Sequence, residues 1–448
     1  MTYGPHDILG IGFGPANIAV AIALQEAGYA GTPLFLEAQD SVAWHPNMML
    51  NGSDIQNNPA RDLITPVNPR SRFTFVNYLH ETGRLFEYLN LGLTFPLRRD
   101  FANYISWAGR QVSADVRFGE GVHTIERCSL DTGEPGFRVT TDTGQTYFAR
   151  AIVAAPGRSR RIPDVFKPAL GSRVFHLCDY LARIEALESD LRRGKGKVAV
   201  VGASQSAVEI LLDLDRKFPD AHLVGVLRGF GYRLKDTSPF MEEVFFPEFT
   251  DYFHVCTPES RANLYQELRH TNYSAADGDV LGKLYLRRYE SQLEGHPDHL
   301  QIQRNSEVIS CTTTDDAVTL TLRDRYMGDQ TRLQCDSVVL ATGFLNSGAG
   351  EDQELFHPLL APLADRYCWD PRYGFEVTRD YRLVPNDGSS DEPPLFVNGL
   401  CETTHGFGDA GSFSLLSLRA QSIARTLCEY HRASTRQSKG TKIIHNVA

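Results

Sequence analysis

The sequence predicts an α/β protein: two Rossmann-like dinucleotide-binding domains with a smaller, mainly helical region over the cleft between them. Three observations predict it. A strand, a glycine turn and a helix follow one another near the N-terminus, and the same unit recurs at Gly202. Two further apolar runs end in glycine, where a chain would cross between two such domains. The 448 residues suffice for two or three domains at about 150 residues each.

Asp7 to Ile11 is a short apolar strand, Gly12-Phe13-Gly14-Pro15-Ala16-Asn17 is the turn, and Ile18 to Ala27 has helical spacing. Such a turn aims backbone N–H groups and a helix N-terminus at a pyrophosphate. Gly12 permits the tight bend, and Gly14 lets the phosphate approach the backbone. Asn17 stands where a third glycine is usual. Pro33 to Leu36 is the second strand. It ends in Glu37, where an acid accepts hydrogen bonds from ribose hydroxyls.

Ala151 to Ala155 is the next buried strand, running into Pro156-Gly157. The second unit begins at Lys197 to Val201 and continues through Gly202-Ala203-Ser204-Gln205-Ser206-Ala207 into a helix from Val208 to Leu214. Its following strand, His222 to Leu227, ends in Arg228 instead of an acid. An arginine there suits a 2′-phosphate and favours NADPH over NADH. Two such sites in one chain imply electron traffic from a nicotinamide to a flavin.

Between Arg233 and Gly295 the pattern turns helical, over Ser260 to His270 and Asp279 to Gln292. Phe245, Phe246, Phe249, Tyr252 and Phe253 form an aromatic segment there. This region reads as a substrate cover in which most of the rings serve as anchors. Asp336 to Leu340 then runs into Ala341-Thr342-Gly343-Phe344, and Asp380 to Pro394 reads as a surface loop. The expected domains are 1–165 with 336–448 for FAD, 190–240 with 300–335 for NADPH, and 241–299 for the helical substrate region.

Composition narrows the function. With 45 basic against 55 acidic residues the formal charge is −10, which argues against a nucleic-acid partner. No apolar stretch approaches the ~18 residues of a membrane span. Met1 to Gly10 lacks the basic and apolar parts of a signal peptide, so a cytoplasmic location is expected. None of the eight cysteines stands in C-x-x-C spacing or in a zinc-type cluster with histidines. A flavin-dependent disulfide reductase, which needs a thiol pair, is thereby disfavoured.

The assembled segments resemble the flavin-dependent N-hydroxylating monooxygenases, the ornithine, lysine and diamine enzymes of hydroxamate siderophore pathways. The resemblance covers nearly the whole chain. Besides both glycine turns, it rests on Ser41 to His45, Phe73 to Leu79, Arg99-Asp100-Phe101 with Tyr104 and Trp107, and Ser238-Pro239-Phe240. It continues in Thr271-Asn272-Tyr273-Ser274, Ala341 to Phe344, Thr404-His405-Gly406 and Ser414 to Ser417. It implies NADPH reducing FAD, molecular oxygen forming a C4a-hydroperoxyflavin with NADP⁺ retained, and a neutral primary amine taking the distal oxygen. It further implies Gln56 and Asn272 beside flavin and amine. Trp44, His45, Thr342, Gly343, His405, Ser414 and Leu415 would join the two turns in holding the cofactors. Homo-oligomers, dimers or tetramers, are usual in the family.

Two departures bear on the substrate. The family's ornithine enzymes place a lysine just before a Met-Gln pair and an asparagine two positions after Ser/Thr-Pro-Phe. This chain has Asp54 and Glu242 there. Two like charges about 4 Å apart repel by about 4 kcal/mol at an effective dielectric of about 20. A substrate carboxylate would therefore be repelled and a second ammonium attracted. The expected substrate is a small diamine, cadaverine or putrescine, bound by Asp54, Glu242 and Asn272. The alternative is L-ornithine or L-lysine, with Arg61 or Arg70 as the carboxylate partner. A Baeyer–Villiger or sulfide monooxygenase would lack the Phe73 and Thr271 segments, and a redox-sensing flavoprotein would need no second turn.

Overall fold

The computed structural model describes residues 4–193, 196–350, 352–389 and 392–444. The elements that frame the cleft are β1 (Leu9–Ile11), α1 (Pro15–Glu26), β2 (Leu34–Glu37), α2 (Phe75–Glu81), α3 (Arg98–Gln111), β3 (Asp115–Phe118) and β4 (Ile152–Ala154). They continue with β5 (Val174–His176), β6 (Lys197–Val201), α4 (Gln205–Lys217), β7 (His222–Val226), α5 (Pro258–Leu268) and α6 (Gly278–Leu293). The last are β8 (Leu300–Gln303), β9 (Ser337–Leu340), β10 (Leu395–Val397) and α7 (Leu416–Ile444).

Two five-stranded parallel sheets organise these elements. The first has the order β10-β4-β1-β2-β3, the second β8-β7-β6-β9-β5. β1, β4, β9 and β10 are buried at every position, as parallel strands packed on both faces are. A three-stranded antiparallel sheet accompanies each, over 122–149 and 306–335. The strand, turn and helix units fall where the sequence puts them. α1 starts three residues early because Pro15 tolerates the first turn, where its missing N–H is not needed.

Asn17 explains the missing third glycine. It is fully buried, and its Nδ2 lies within reach of the carbonyls of Ile11 (3.1 Å), Gly12 (2.8 Å) and Val153 (3.3 Å). Its Oδ1 accepts from Asn398 Nδ2 at 3.2 Å. One amide thus ties turn, β1, β4 and the end of β10. Asn17→Gly would restore the usual fingerprint yet strand these groups. It is expected to lower stability by about 1–3 kcal/mol, read as a fall in the thermal midpoint.

The structure corrects the expected boundaries. β9 was assigned to the first domain, but it pairs with β6 in parallel, Val338 opposite Ala199. β5, outside any expected domain, borders β9 in the same sheet. Only β10 returns to the first sheet, beside β4. A short apolar run ending in glycine has the same appearance in either sheet, so the pattern could not choose. The region 241–299 is also divided. α6 buries Leu284 in the second domain's core and serves as the crossover between β7 and β8. Val244, Phe245 and Leu268 instead pack against Phe407.

The supposed surface loop 380–394 contributes Tyr381 and Leu383 to the first core. Its residues 390 and 391, like 445–448 of the expected first domain, lie outside the described residues. Among the described residues, no helix is long and apolar enough to cross a membrane. The two crossings between domains pair with each other, Leu345 N–H to Ser159 O (2.9 Å) and Arg161 N–H to Gly343 O (3.0 Å).

Candidate active site

The first turn has the shape a pyrophosphate needs. Gly12 has φ +79°, and a Cβ there would overlap the carbonyl oxygen of Ala155. At Gly14 a Cβ would meet nothing within 4 Å, and no side chain caps the α1 N-terminus behind it. Glu37 closes the turn: its Oε2 accepts from Phe13 N–H at 2.6 Å and its Oε1 from Gln39 N–H at 2.9 Å. Each carboxylate oxygen keeps a lone pair for a ribose hydroxyl. These groups fit the dinucleotide end of FAD.

The second turn repeats the device, since a Cβ on Gly202 would overlap Ala341 O and no side chain caps Ser204. Here the helix start is partly used by the protein. Gln205 N–H donates to Ala275 O (3.0 Å), and its side chain joins Asp277 N–H (2.9 Å) to Glu209 Oε1 (3.1 Å). Gln205 therefore fastens α4 to the segment before α6. Ser204 and Ser206 remain at the turn. Past β7, Arg228 is exposed and stands 4.0 Å from Asp352, which also pairs with Arg161 and with Arg269 at 3.7 Å. Three guanidiniums around one carboxylate leave a surplus of positive charge, which fits a 2′-phosphate.

Between the turns lies a cleft with both signs of charge. His45, at φ +46°, stands there with its ring 5.1 Å from Trp44 and 6.1 Å from Phe344. Surrounding protein holds the imidazole down at about 4, with Arg98 and Arg158 adding repulsion, so it is neutral near pH 7. Trp44 stands 5.2 Å from Phe413, ring to ring, beside it. Arg98 on α3 reaches Asp54 O (3.1 Å) and forms a buried ion pair with Glu209 on α4 at 2.9 Å, joining the domains across the cleft. Gln56, also left-handed at φ +53°, takes its N–H to Asp54 Oδ1 (2.9 Å) and its Nε2 to Asp277.

On the opposite wall, Asn272 Nδ2 is buried without a partner among the described residues and faces the backbone of Gly411. Next to it, Tyr273 donates to Glu402 Oε2 (2.6 Å) and accepts from Arg158 Nη1 (2.9 Å).

The sequence profile of the L-lysine 6-monooxygenase/L-ornithine 5-monooxygenase family matches residues 4–346. The chain belongs to this family. It is 34% identical over 440 residues to an L-ornithine N(5)-monooxygenase of Pseudomonas aeruginosa, covering 96% of this chain and 95% of that one. Among solved structures, an L-lysine 6-monooxygenase from Pseudomonas syringae is 34% identical with a TM-score of 0.82, covering 94% of this chain and 99% of that one. The ornithine N-hydroxylase of Kutzneria sp. 744, bearing reduced FAD, NADP⁺ and L-ornithine, is 30% identical with a TM-score of 0.86, covering 95% of this chain and all of its own. The chain is thus an enzyme of the flavin N-hydroxylating monooxygenases.

Within that family frame, the structure places the expected substrate residues as follows. Gln56 and Asn272 both border the Asn272–Asp277 segment. Asp54 lies at a bridge to Leu97, and Glu242 in a separate element. Burial first, then Asp277 and Asp279, push the Asp54 carboxyl up, against the Gln56 amide and Arg98. Glu242 lies in the short 3₁₀ helix Met241–Phe245, with its own N–H on Ser238.

Other cofactor candidates have contacts within the protein. His405 is buried, stacked on Tyr381 at 4.1 Å and 4.8 Å from His254. Thr342 Oγ1 donates to Arg161 O, and Gly343, at φ +80°, receives the Arg161 N–H on its carbonyl. Ser414 accepts from Arg61 Nη1 at 3.1 Å, and Leu415 is buried against Gly408. Arg70 is exposed. The sequence reading missed Arg98, Arg158, Asp277 and Glu402. Arg158 alone left a trace, standing directly after Pro156-Gly157.

Proposed function

We propose that the enzyme hydroxylates the terminal amine of L-ornithine, using FAD, NADPH and molecular oxygen. The identity of 34%, spanning nearly all of both chains, to an enzyme named for that reaction carries this reading over the diamine. The product, a hydroxylamine, would be consumed by an acyl transfer that makes a hydroxamate.

Bound FAD, once reduced, supplies the activated oxygen. The chain's own part is to bind, orient and exclude water. Gly12, Gly14, Pro15, Asn17 and Glu37 hold the flavin dinucleotide. Gly202, Ser204, Ser206 and Arg228 hold NADPH, with Arg161 and Arg269 beside the 2′-phosphate. Gln56, fixed through Asp54 and Asp277, and Asn272, with its unpaired Nδ2, orient the amine and the flavin. The amine reacts only when neutral, and the positive charges of Arg98 and Arg158 oppose an ammonium near His45.

The test is hydroxylamine formation by the FAD-loaded enzyme with NADPH, comparing L-ornithine, L-lysine, cadaverine and putrescine. L-Ornithine is expected to give at least about tenfold the kcat/KM of either diamine, a difference of about 1.4 kcal/mol. Product from the diamines alone would return the assignment to a diamine oxygenase.

A further inference from the structure

Arg158 stands in the cleft with more hydrogen-bonding capacity than the protein uses. It lies on the crossing from the first domain to the second, directly after β4. Among the described residues its hydrogen bonds leave from Nη1 alone, to Tyr273 Oη at 2.9 Å and Asn346 Oδ1 at 3.0 Å. Nε and Nη2 stay available. The guanidinium lies against two rings, 5.3 Å from the centroid of Phe344 and 5.8 Å from that of Tyr273.

The surroundings hold this charge without neutralising it by direct contact. Glu402 is buried, and its oxygens are taken by Tyr273 Oη at 2.6 Å and Asn346 Nδ2 at 2.9 Å, the two groups that grip Arg158. The carboxylate thus sits one layer behind. Burial pushes Glu402 up to about 7, against the pull of Arg158 and of Tyr273. An arginine gripped at Nη1 by two neutral oxygens, with Nε and Nη2 unbonded among the described residues, is arranged to take an incoming anion.

We infer that Arg158 binds the α-carboxylate of the amino-acid substrate, in the role for which Asp54 is unsuited. This rests on the ornithine reading above. Arg158 shares Tyr273 with the segment bearing Asn272, so the carboxylate would be held beside the residue that orients the amine. The phosphates of the two dinucleotides are accounted for elsewhere, at the Gly12 and Gly202 turns and at Arg228. Arg61 is the rival, with its Nη1 on Ser414 Oγ at 3.1 Å. Arg70 lies on the exposed surface.

The experiment compares wild type, Arg158→Ala, Arg158→Lys and Arg61→Ala, all loaded with FAD, on L-ornithine and on putrescine. Arg158→Ala is expected to lower the ratio of kcat/KM for ornithine over putrescine by about 100-fold, mostly through KM. Arg158→Lys should recover part of that ratio. Flavin reduction by NADPH without amine is the second readout. An equal loss on both amines, a loss of that reduction, or a ratio that falls in Arg61→Ala instead would each overturn the assignment. Failure of the ornithine reading shows separately, in the wild type, as no product from ornithine.

Discussion

Gly12→Ala is expected to yield an enzyme that purifies nearly without flavin. The residue has φ +79°, a conformation that costs an L side chain about 1–2 kcal/mol by itself. The added methyl also overlaps Ala155 O. That carbonyl cannot easily withdraw, because Ala155 N–H donates to Ile11 O at 2.9 Å and keeps β1 beside β4. The turn must move instead, carrying Phe13 N–H away from Glu37. The Kd for FAD should rise at least about tenfold. Gly14→Ala separates strain from occlusion. Its methyl meets no protein atom within 4 Å, so the fold should persist while flavin binding weakens. Flavin content and thermal midpoint, measured on both variants, test this. A Gly12→Ala enzyme with full flavin would contradict the role given to the turn.

Arg419→Met is expected to cost about 3–5 kcal/mol of stability. Arg419 and Asp409 are both buried, with Nη1 2.9 Å from Asp409 Oδ1 and Nε donating to Asn398 Oδ1 at 2.7 Å. Asp409 Oδ2 also accepts Cys401 N–H at 2.6 Å. Through Asn398 and Asn17 the chain of bonds reaches the first glycine turn. Removing the guanidinium leaves a buried carboxylate without its counter-charge and the Asn398 amide oxygen without its donor, which is where the loss arises. Replacing Asp409 by Leu in the same protein should recover part of it, since an apolar pair avoids the stranded charge. Denaturant midpoints of the single and double variants decide. A double variant less stable than Arg419→Met would show that the aspartate's other bonds dominate.

Both sheets were legible in the sequence because the strand, glycine turn and helix form a local unit. Gly12, Gly202 and Glu37 sit where their spacing puts them. Topology was less legible: the run ending at Leu340 carries no sign of which sheet accepts it. Asn17 looked like a departure and is a central tie, visible only once β4 and β10 lie beside it. The cleft was read least well. Asp54 and Glu242 were paired by counting, whereas the observed partners of Asp54 are Gln56, Arg98 and the acids at 277 and 279. Arg158, Tyr273 and Glu402 lie far apart in the chain, and only the fold makes them neighbours.

The central claim is tested most directly by the mass of the product formed from L-ornithine under isotopically heavy oxygen gas, with NADPH and the FAD-loaded enzyme. The account predicts a hydroxylated ornithine carrying one heavy oxygen atom on its terminal nitrogen, formed in step with NADPH consumption. NADPH consumption that releases only peroxide, with ornithine and lysine recovered unchanged, would contradict it.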